Sequence, residues 1–343
     1  MSYGNIANIE LGKGQVLCGF TCPVNQSPLE NFDQNLSGPK TNDGVKSASV
    51  TQRDADYVVA VFVRLINHTG NLSQNCGWPS IIYKCEMIRL RDSEWERIRD
   101  HFPEENIPDG HPGRKPIPTR QVLEAVLWIL NTGAQWHMLP QCYPNYKTVH
   151  RRFQAWCRSE VLRRILTDIA NELRERGALD EEECFIDATF AMAKGGGAEV
   201  APTKRGKGVK IMAIVDRHGL PLSVSTHAAN HHEVRLVQLC FDFYMIEAKP
   251  ENLVGDRAYD SDPLDDSLRR DGIEMIAPHR SSRVKQPTQD RRRLRRYARR
   301  WLIERFFAWI QWQRRILVRW EYYPQNFLGF VQLACLVILF RRF

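Results

Sequence analysis

Three acidic residues of the 343-residue chain sit where carboxylates could do chemistry. Asp187 follows Phe185-Ile186 in CFIDATF, and Asp256 follows Leu253-Val254-Gly255 in LVGDRAYDSD; each closes a short apolar run of buried-strand type. Glu304 is the one acid in RRWLIERFFAWIQWQRR at 299–315. A charge carried into apolar surroundings without a partner is costly. Glu304 is therefore expected to face the two aspartates and share divalent cations with them. Carboxylate oxygens suit Mg2+ or Mn2+, which keep positions open for water and phosphate oxygens. Two such ions, typically about 3.5–4 Å apart, support phosphodiester cleavage and exchange. Each acid also has a plainer reading. A strand-end Asp can simply cap a turn, and Glu304 can pair with Arg300 one helical turn earlier. Asp216 reads as a hairpin-turn residue, and Asp260, Asp262, Asp265 and Asp266 as capping and surface acids. His231-His232-Glu233 reads as a helix start, with Glu233 at most an accessory acid.

The elements that must position these acids follow from periodicity. A capping residue at Asp92 or Ser93 opens a helix carrying Trp95, Ile98 and Phe102, ended by Pro103. A second helix over 119–130 buries Val122, Ala125, Val126, Ile129 and Leu130 and stops at Asn131-Thr132-Gly133. In 144–158 Val149, Phe153 and Trp156 define one face, while Lys147, His150, Arg151 and Arg152 project elsewhere. Three short helices with a basic last one suit a helix-turn-helix reader of DNA; a helical subdomain with a solvated basic face is the alternative. A polar helix covers 161–176. Strands follow at 184–190, 209–216 and 220–227, then a helix over 232–246, a strand at 252–255, a helix at 263–270, a strand at 273–277 and a long helix from about Asp290. That order indicates a mixed α/β sheet covered on both faces.

Composition is that of an ordinary globular protein, 43% hydrophobic and 26% charged. Its net charge of +8 lies wholly in 87–343, because 1–86 hold six Lys/Arg against seven Asp/Glu. A basic folded region points to a polyanionic partner. Seven arginines crowd 291–300, and TKRGKG at 203–208 places Lys204, Arg205 and Lys207 on a loop. So dense an arginine run needs anions nearby, and phosphate contacts of this kind give sequence-independent, salt-sensitive affinity. The glycines at 195–197 lack the spacing of a phosphate loop and read as a mobile tip. The aromatics of 301–312 read mostly as core. The nine cysteines form no CxxC pair, as in a reduced cytosolic protein, and Cys18, Cys22, Cys76 and Cys85 do not match the usual zinc spacings. No secretory signal opens the chain. The apolar stretch at 327–340 is short for a bilayer and reads as a buried terminal helix, so no membrane role is expected. Residues 1–86 read as a poorly ordered extension, with Met87 a candidate true start.

From about Ile88 to Phe343 the chain resembles bacterial insertion-sequence transposases of the DDE superfamily, in the insertion-sequence-five group. The phrases that carry the resemblance are LRDSEWERIRDHFP, LNTGAQWHMLP, YKTVHRRFQAW, CFIDATFAMA, TKRGKGVKIMAIVDRHGLPL, LVGDRAYDSDPL, IEMIAPHR and RRWLIERFFAWIQWQRR. The resemblance implies a helical DNA-binding domain at 87–176 and an RNase H-like catalytic domain at 177–343. Asp187, Asp256 and Glu304 fall on the three acidic positions, holding two Mg2+ ions or Mn2+. The family pattern around the glutamate, Tyr-x2-Arg-x3-Glu-x6-Lys/Arg, is matched by Tyr297, Arg300 and Glu304; its last position is Gln311, with Arg314 and Arg315 the nearest cations beyond. The implied activity is cleavage at terminal inverted repeats and transfer of the freed 3′ end into target DNA. A homo-oligomer would handle two DNA ends together in the bacterial cytoplasm, at the nucleoid when DNA-bound. Lys147, Arg151, Arg152, Lys204, Arg205, Lys207, Tyr297 and Arg300 are the expected DNA contacts. A transposase-derived DNA-binding repressor and a metal-dependent nuclease without strand transfer are the competing readings.

Overall fold

The computed structural model describes residues 88–108, 112–113 and 115–343. The expectations for 1–86, for the four cysteines within it and for Met87 as a start lie outside the described residues.

Four helices lead: α1 (Asp92–Ile98), α2 (Thr119–Thr132), α3 (Tyr146–Arg158) and α4 (Val161–Glu175). The residue capping α1 is Arg91 rather than Asp92 or Ser93. Glu94 reaches back to accept the Arg91 backbone N–H at 2.7 Å, which satisfies a donor the helix leaves orphaned. Helix α2 ends at Gly133, whose φ of 70° lets its N–H turn back to the Ile129 carbonyl. Asn145 caps α3 by accepting the Lys147 N–H at 2.9 Å. The predicted stripes are all inside: Val122, Ala125, Val126, Ile129, Leu130, Val149, Phe153 and Trp156 have no exposed surface.

The sheet has β1 (Glu183–Ala193) at its centre. Antiparallel to it runs β3 (Gly206–Val215), which pairs with β4 (Pro221–Ala228) and, near its start, with β2 (Ala201–Thr203). On the other side of β1 lie β5 (Asn252–Val254) and then β6 (Glu274–Ile276), both parallel; β7 (Val318–Arg319) joins the far end of β1. Helices α5 (Glu233–Phe241), α6 (Asp262–Arg270), α7 (Trp301–Gln311) and the short α8 (Arg314–Leu317) complete the layers. Three antiparallel strands followed by two parallel ones on the opposite flank of β1, with helices on the sheet, make the RNase H-like arrangement.

The last helix, α9 (Pro324–Leu339), packs on α2, α3, α4 and β4, so one continuous hydrophobic core joins the leading helices to the sheet. Gly329 permits this approach: a Cβ there would lie 2.4 Å from Cys157 Sγ. With the turn that follows it, the helical stretch Pro324–Arg342 is long and apolar enough by length and composition to cross a membrane, longer than the apolar run alone indicates, but 72% of that window is buried in the protein.

Two further local expectations fail. The segment after Asp290 is not a long α-helix: Arg293–Arg299 winds as a 3-10 helix, and α7 begins only at Trp301. The glycines at 195–197 are not a loose tip. A Cβ on Gly195 would meet the Trp320 carbonyl oxygen at 2.3 Å, and one on Gly197 the Tyr322 oxygen at 2.0 Å. They are glycines because two backbones touch there.

Candidate active site

The parallel register of β1 and β5 brings the two aspartates together. Phe185 pairs with Val254, and each acid stands two residues further along its own strand direction. Neighbouring strands run roughly 4.8 Å apart, so Asp187, inside β1, and Asp256, just past the end of β5, stand beside one another. Gly255 makes the exit from β5: a Cβ there would sit 2.6 Å from Met275 Cε and 2.7 Å from the Tyr259 ring. Asp256 then caps the following turn, its Oδ1 accepting the Ala258 N–H at 2.7 Å. The turn-cap reading therefore holds for Asp256.

Glu304 lies in the first turn of α7, which packs on β1. Its side chain is 56% exposed, so it is not the buried charge that the apolar surroundings in sequence imply; the apolar face of α7 turns inward through Leu302, Ile303, Phe306, Phe307 and Ile310. Arg300 joins the acids. Its Nη1 donates to Asp187 Oδ2 and its Nη2 to Glu304 Oε1, both at 2.6 Å. The ion pair weighed as the plainer role of Glu304 is thus present, and it includes Asp187.

Burial pushes the Asp187 carboxyl up to about 6; the Ala188 N–H and Arg300 oppose this, and the nearby Asp256 and Glu233 charges add to it. Burial pulls Arg300 down, but Asp187 and Glu304 outweigh it and hold the guanidinium above its ordinary value. The two partners point in opposite directions about one ion pair. The carboxyl governs, because it is 16% exposed and cannot borrow solvation, while the guanidinium divides itself between it and the solvated Glu304. Among the described residues no three His, Cys, Asp or Glu side chains converge closely enough to grip a metal as they stand. The donor set is nonetheless all carboxylate, the kind that hard cations take, and a guanidinium already spans two of its three members.

The arginine run finds many of its anions inside the protein. A 3-10 helix has three residues per turn, so positions three apart share a face. Arg293, Arg296 and Arg299 occupy such a face and cross the sheet strand by strand. Arg293 pairs with Glu274 on β6; Arg296 donates to Asn252 Oδ1 on β5 and sits 3.1 Å from Glu183 on β1; Arg299 reaches Glu183 at 2.6 Å. Arg300 follows onto Asp187. This corrects the expectation that DNA answers the whole run. Arg291, Arg292 and Arg295 are exposed on the other side and remain for an external polyanion. Glu183, 5% exposed with Oε1 lacking a hydrogen-bond partner, was missed in sequence; its only signal is an acid opening an apolar strand run.

The remaining candidates divide by exposure. Lys147 and Arg151 on α3, and Lys204, Arg205 and Lys207 around the β2–β3 turn, are solvent-facing. Arg152 is not available to DNA: it is 8% exposed, pairs with Glu104 at 3.0 Å, donates to the Ile117 carbonyl and Thr119 Oγ1, and lies over the Trp156 ring. Tyr297 lies beside Arg300, its ring 5.8 Å from the guanidinium carbon. Gln311, at the expected cation position, donates to Thr189 Oγ1 on β1. Asp216 is the turn residue expected, its oxygens accepting the N–H groups of Asp180, His218 and Leu220. Glu233 opens α5 and pairs with Lys210 at 3.0 Å. Phe306 and Phe307 are core, but Trp301 and Trp312 are exposed at 51% and 59%.

Residues 90–166 match a family of proposed transposases of the IS4/5 family, and residues 179–339 match the transposase DDE domain. An uncharacterised Sinorhizobium fredii protein, y4sN, is 34% identical over 121 residues, covering 35% of this chain and 86% of that one. The proposed transposase for insertion sequence element IS402 of Burkholderia cepacia is 30% identical over 146 residues, covering 40% of this chain and 65% of the relative. Among solved structures, a piggyBac transposase synaptic complex with hairpin DNA aligns over 73% of each chain at 11% identity, with a TM-score of 0.43. The catalytic domain of the Mos1 mariner transposase aligns over 52% of this chain at a TM-score of 0.22. With both segments matched in order and the two aspartates on neighbouring strands, residues 90–166 and 179–339 are similar to insertion-sequence transposases of the DDE superfamily.

Proposed function

We propose that the protein is the transposase of an insertion-sequence-five-group element, binding terminal inverted repeats and cutting and rejoining DNA at Asp187, Asp256 and Glu304. The observation that carries this reading is the register of β1 and β5, which sets two aspartates side by side, with Glu304 tied to the same place through Arg300. These three carboxylates would hold Mg2+ or Mn2+, two ions in all, which when bound activate the attacking oxygen and stabilise the leaving one. The chain's own groups do the positioning. Arg300, released from its carboxylates, has both guanidinium edges free for the scissile phosphate, a bidentate geometry that arginine suits. Tyr297 stands next to it for the sugar or base beside the cut. The exposed cations Lys147, Arg151, Lys204, Arg205 and Lys207, with Arg291, Arg292 and Arg295, supply backbone contacts along the duplex.

In this reading 87–176 forms the DNA-binding part and 177–343 the catalytic part, the protein works at the bacterial nucleoid, and a homo-oligomer brings two ends together. The test is incubation of purified protein with labelled inverted-repeat DNA and Mg2+. Cleavage with joining supports transposition, cleavage alone indicates a nuclease, and binding alone a repressor. D187A, D256A and E304A should each bind DNA and not cut it; a variant that cuts normally removes its residue from the site.

A further inference from the structure

From the end of β7, beside the far end of β1, the chain makes a short loop in which buried and exposed residues alternate. Arg319, 1% exposed, turns inward and donates to the carbonyls of Ala198, Glu321 and Tyr322. Glu321 also turns inward, 2.6 Å from the buried Arg315. Trp320 and Tyr322 point outward at 53% and 63% exposure, and Tyr323, at 50%, stands edge-on to Tyr322 with ring centroids 5.4 Å apart. Soluble proteins seldom spend large aromatics on solvent, and a cluster of them on rigid backbone marks a binding surface. Here the backbone is fixed from below by two buried arginines and from the side by Gly195 and Gly197, whose missing Cβ atoms let it pack flush.

The charges around the patch say what covers it. Met192 pairs with Gly208 on one side and Val318 on the other, so the β2–β3 hairpin and this loop flank the same end of β1. Lys194, whose backbone N–H donates to the Arg319 carbonyl, and Lys207 on the hairpin are both exposed, with no carboxylate partner among the described residues, while the acid of the loop is neutralised inside. Outward aromatics flanked by unpaired cations form a stacking surface for unpaired bases with cations for the backbone. Met192 is five strand residues beyond Asp187, about 17 Å along β1.

We propose that Trp320, Tyr322 and Tyr323, with Lys194 and Lys207, form a platform for single-stranded DNA, on which nucleotides next to a cut end are held after they leave the duplex. The platform rests on the reading of the protein as a DNA-processing enzyme. Its test is fluorescence anisotropy at low salt with a labelled fifteen-nucleotide oligothymidylate and a blunt duplex, using wild type, W320A, Y322A and the conservative W320F. Each alanine variant should lose about tenfold in single-strand affinity and W320F much less, with duplex affinity within about twofold of wild type. Unchanged single-strand binding, or parallel loss on both DNAs, overturns the proposal. So does a wild-type dimer that W320A dissociates in sedimentation, because the patch is then a contact between copies. Single-strand binding that depends on Trp320 in a protein with no Mg2+-dependent cutting supports the platform and removes transposition. Cutting with single-strand affinity indifferent to both alanines removes the platform alone.

Discussion

Asp187→Asn separates what this carboxylate does for chemistry from what it does to the fold. Burial raises the carboxyl from 3.8 to about 6, and the side chain is only 16% exposed, so solvent screens the effect little. At 1.36 kcal/mol per pH unit, its ionised form is disfavoured in the folded protein by about 3 kcal/mol relative to the unfolded chain. The sign follows from proton binding. Between about pH 4 and pH 6 the folded state holds the Asp187 proton and the unfolded state has lost it. The contribution of this group to stability is therefore fully present below 3.8 and is lost as pH rises through about 6. Asparagine keeps an oxygen for Arg300 and has nothing to ionise. Without metal, D187N should match wild type near pH 4 and exceed it by up to about 3 kcal/mol at pH 7.5, which for a region of this size raises Tm by roughly 6–12 °C. Added Mg2+ should stabilise wild type through mass action and D187N much less. Thermal unfolding from pH 4.5 to 7.5, with and without Mg2+, reads both effects. A variant less stable than wild type at pH 7.5, or a difference that does not move with pH, would show that Asp187 is an anchor of the fold through Arg300 and refute the argument from burial.

Replacing Arg291, Arg292 and Arg295 with Ala should flatten the salt dependence of duplex binding by about 0.9 for each phosphate left without its cation, up to roughly three phosphates; an unchanged slope would take this face off the DNA path. Arg152→Ala should leave that slope alone and lower stability by about 3 kcal/mol in chemical unfolding, because Glu104 loses its cation and keeps only the Trp156 N–H. Glu183→Gln releases Arg296 and Arg299 and should slow DNA cutting about 10- to 100-fold with unchanged duplex affinity; rescue by Glu183→Asp would confirm that the carboxylate acts by position. Gly197→Ala must fit a Cβ 2.0 Å from the Tyr322 oxygen at φ +92°, and should lose about 2–3 kcal/mol. Gly196→Ala, at φ +68° with nothing within 4 Å, should lose only about 1 kcal/mol by the same unfolding assay.

What could be read from sequence was what is local. The stripe of α2, the strand runs of β3 and β4, the Asp216 turn and the acids that follow Phe185-Ile186 and Leu253-Val254-Gly255 were each legible from residues within a few positions of one another, although β1 runs on to Ala193 and so carries Asp187 inside it rather than at its end. What could not be read was charge balance. Arg152 and Arg151 are adjacent and chemically alike, yet one is buried against Glu104, 48 residues earlier, and the other faces water. Glu304 looks stranded among aromatics, but the helix turns Phe306 and Phe307 inward and the acid outward. The triple glycine looks mobile until Trp320 and Tyr322, more than a hundred residues away, close on it. In each case the deciding partner is distant in the chain, and a one-dimensional reading assigns the residue a role from its neighbours instead.

The spacing of Tyr297, Arg300 and Glu304 has a physical origin in the backbone that carries it. Arg300 ends the 3-10 helix and precedes the first residue of α7. Before it, residues three apart share a face; after it, residues four apart do. Tyr297 is three residues back and lies beside the guanidinium, while Glu304 is four residues on and accepts from its other edge. A continuous α-helix through 293–304 would rotate Arg293, Arg296 and Arg299 progressively off the sheet, by about 60° for each three-residue step. A continuous 3-10 helix would carry Glu304 past Arg300. The change of helix type at one residue lets the run grip three strands with one face and still deliver a carboxylate to the same guanidinium that holds Asp187. Inserting one alanine between Arg300 and Glu304 should therefore abolish cutting while the arginine contacts to Glu183 and Glu274 persist, whereas an insertion between Arg296 and Arg299 should loosen the whole strap and lower Tm as well.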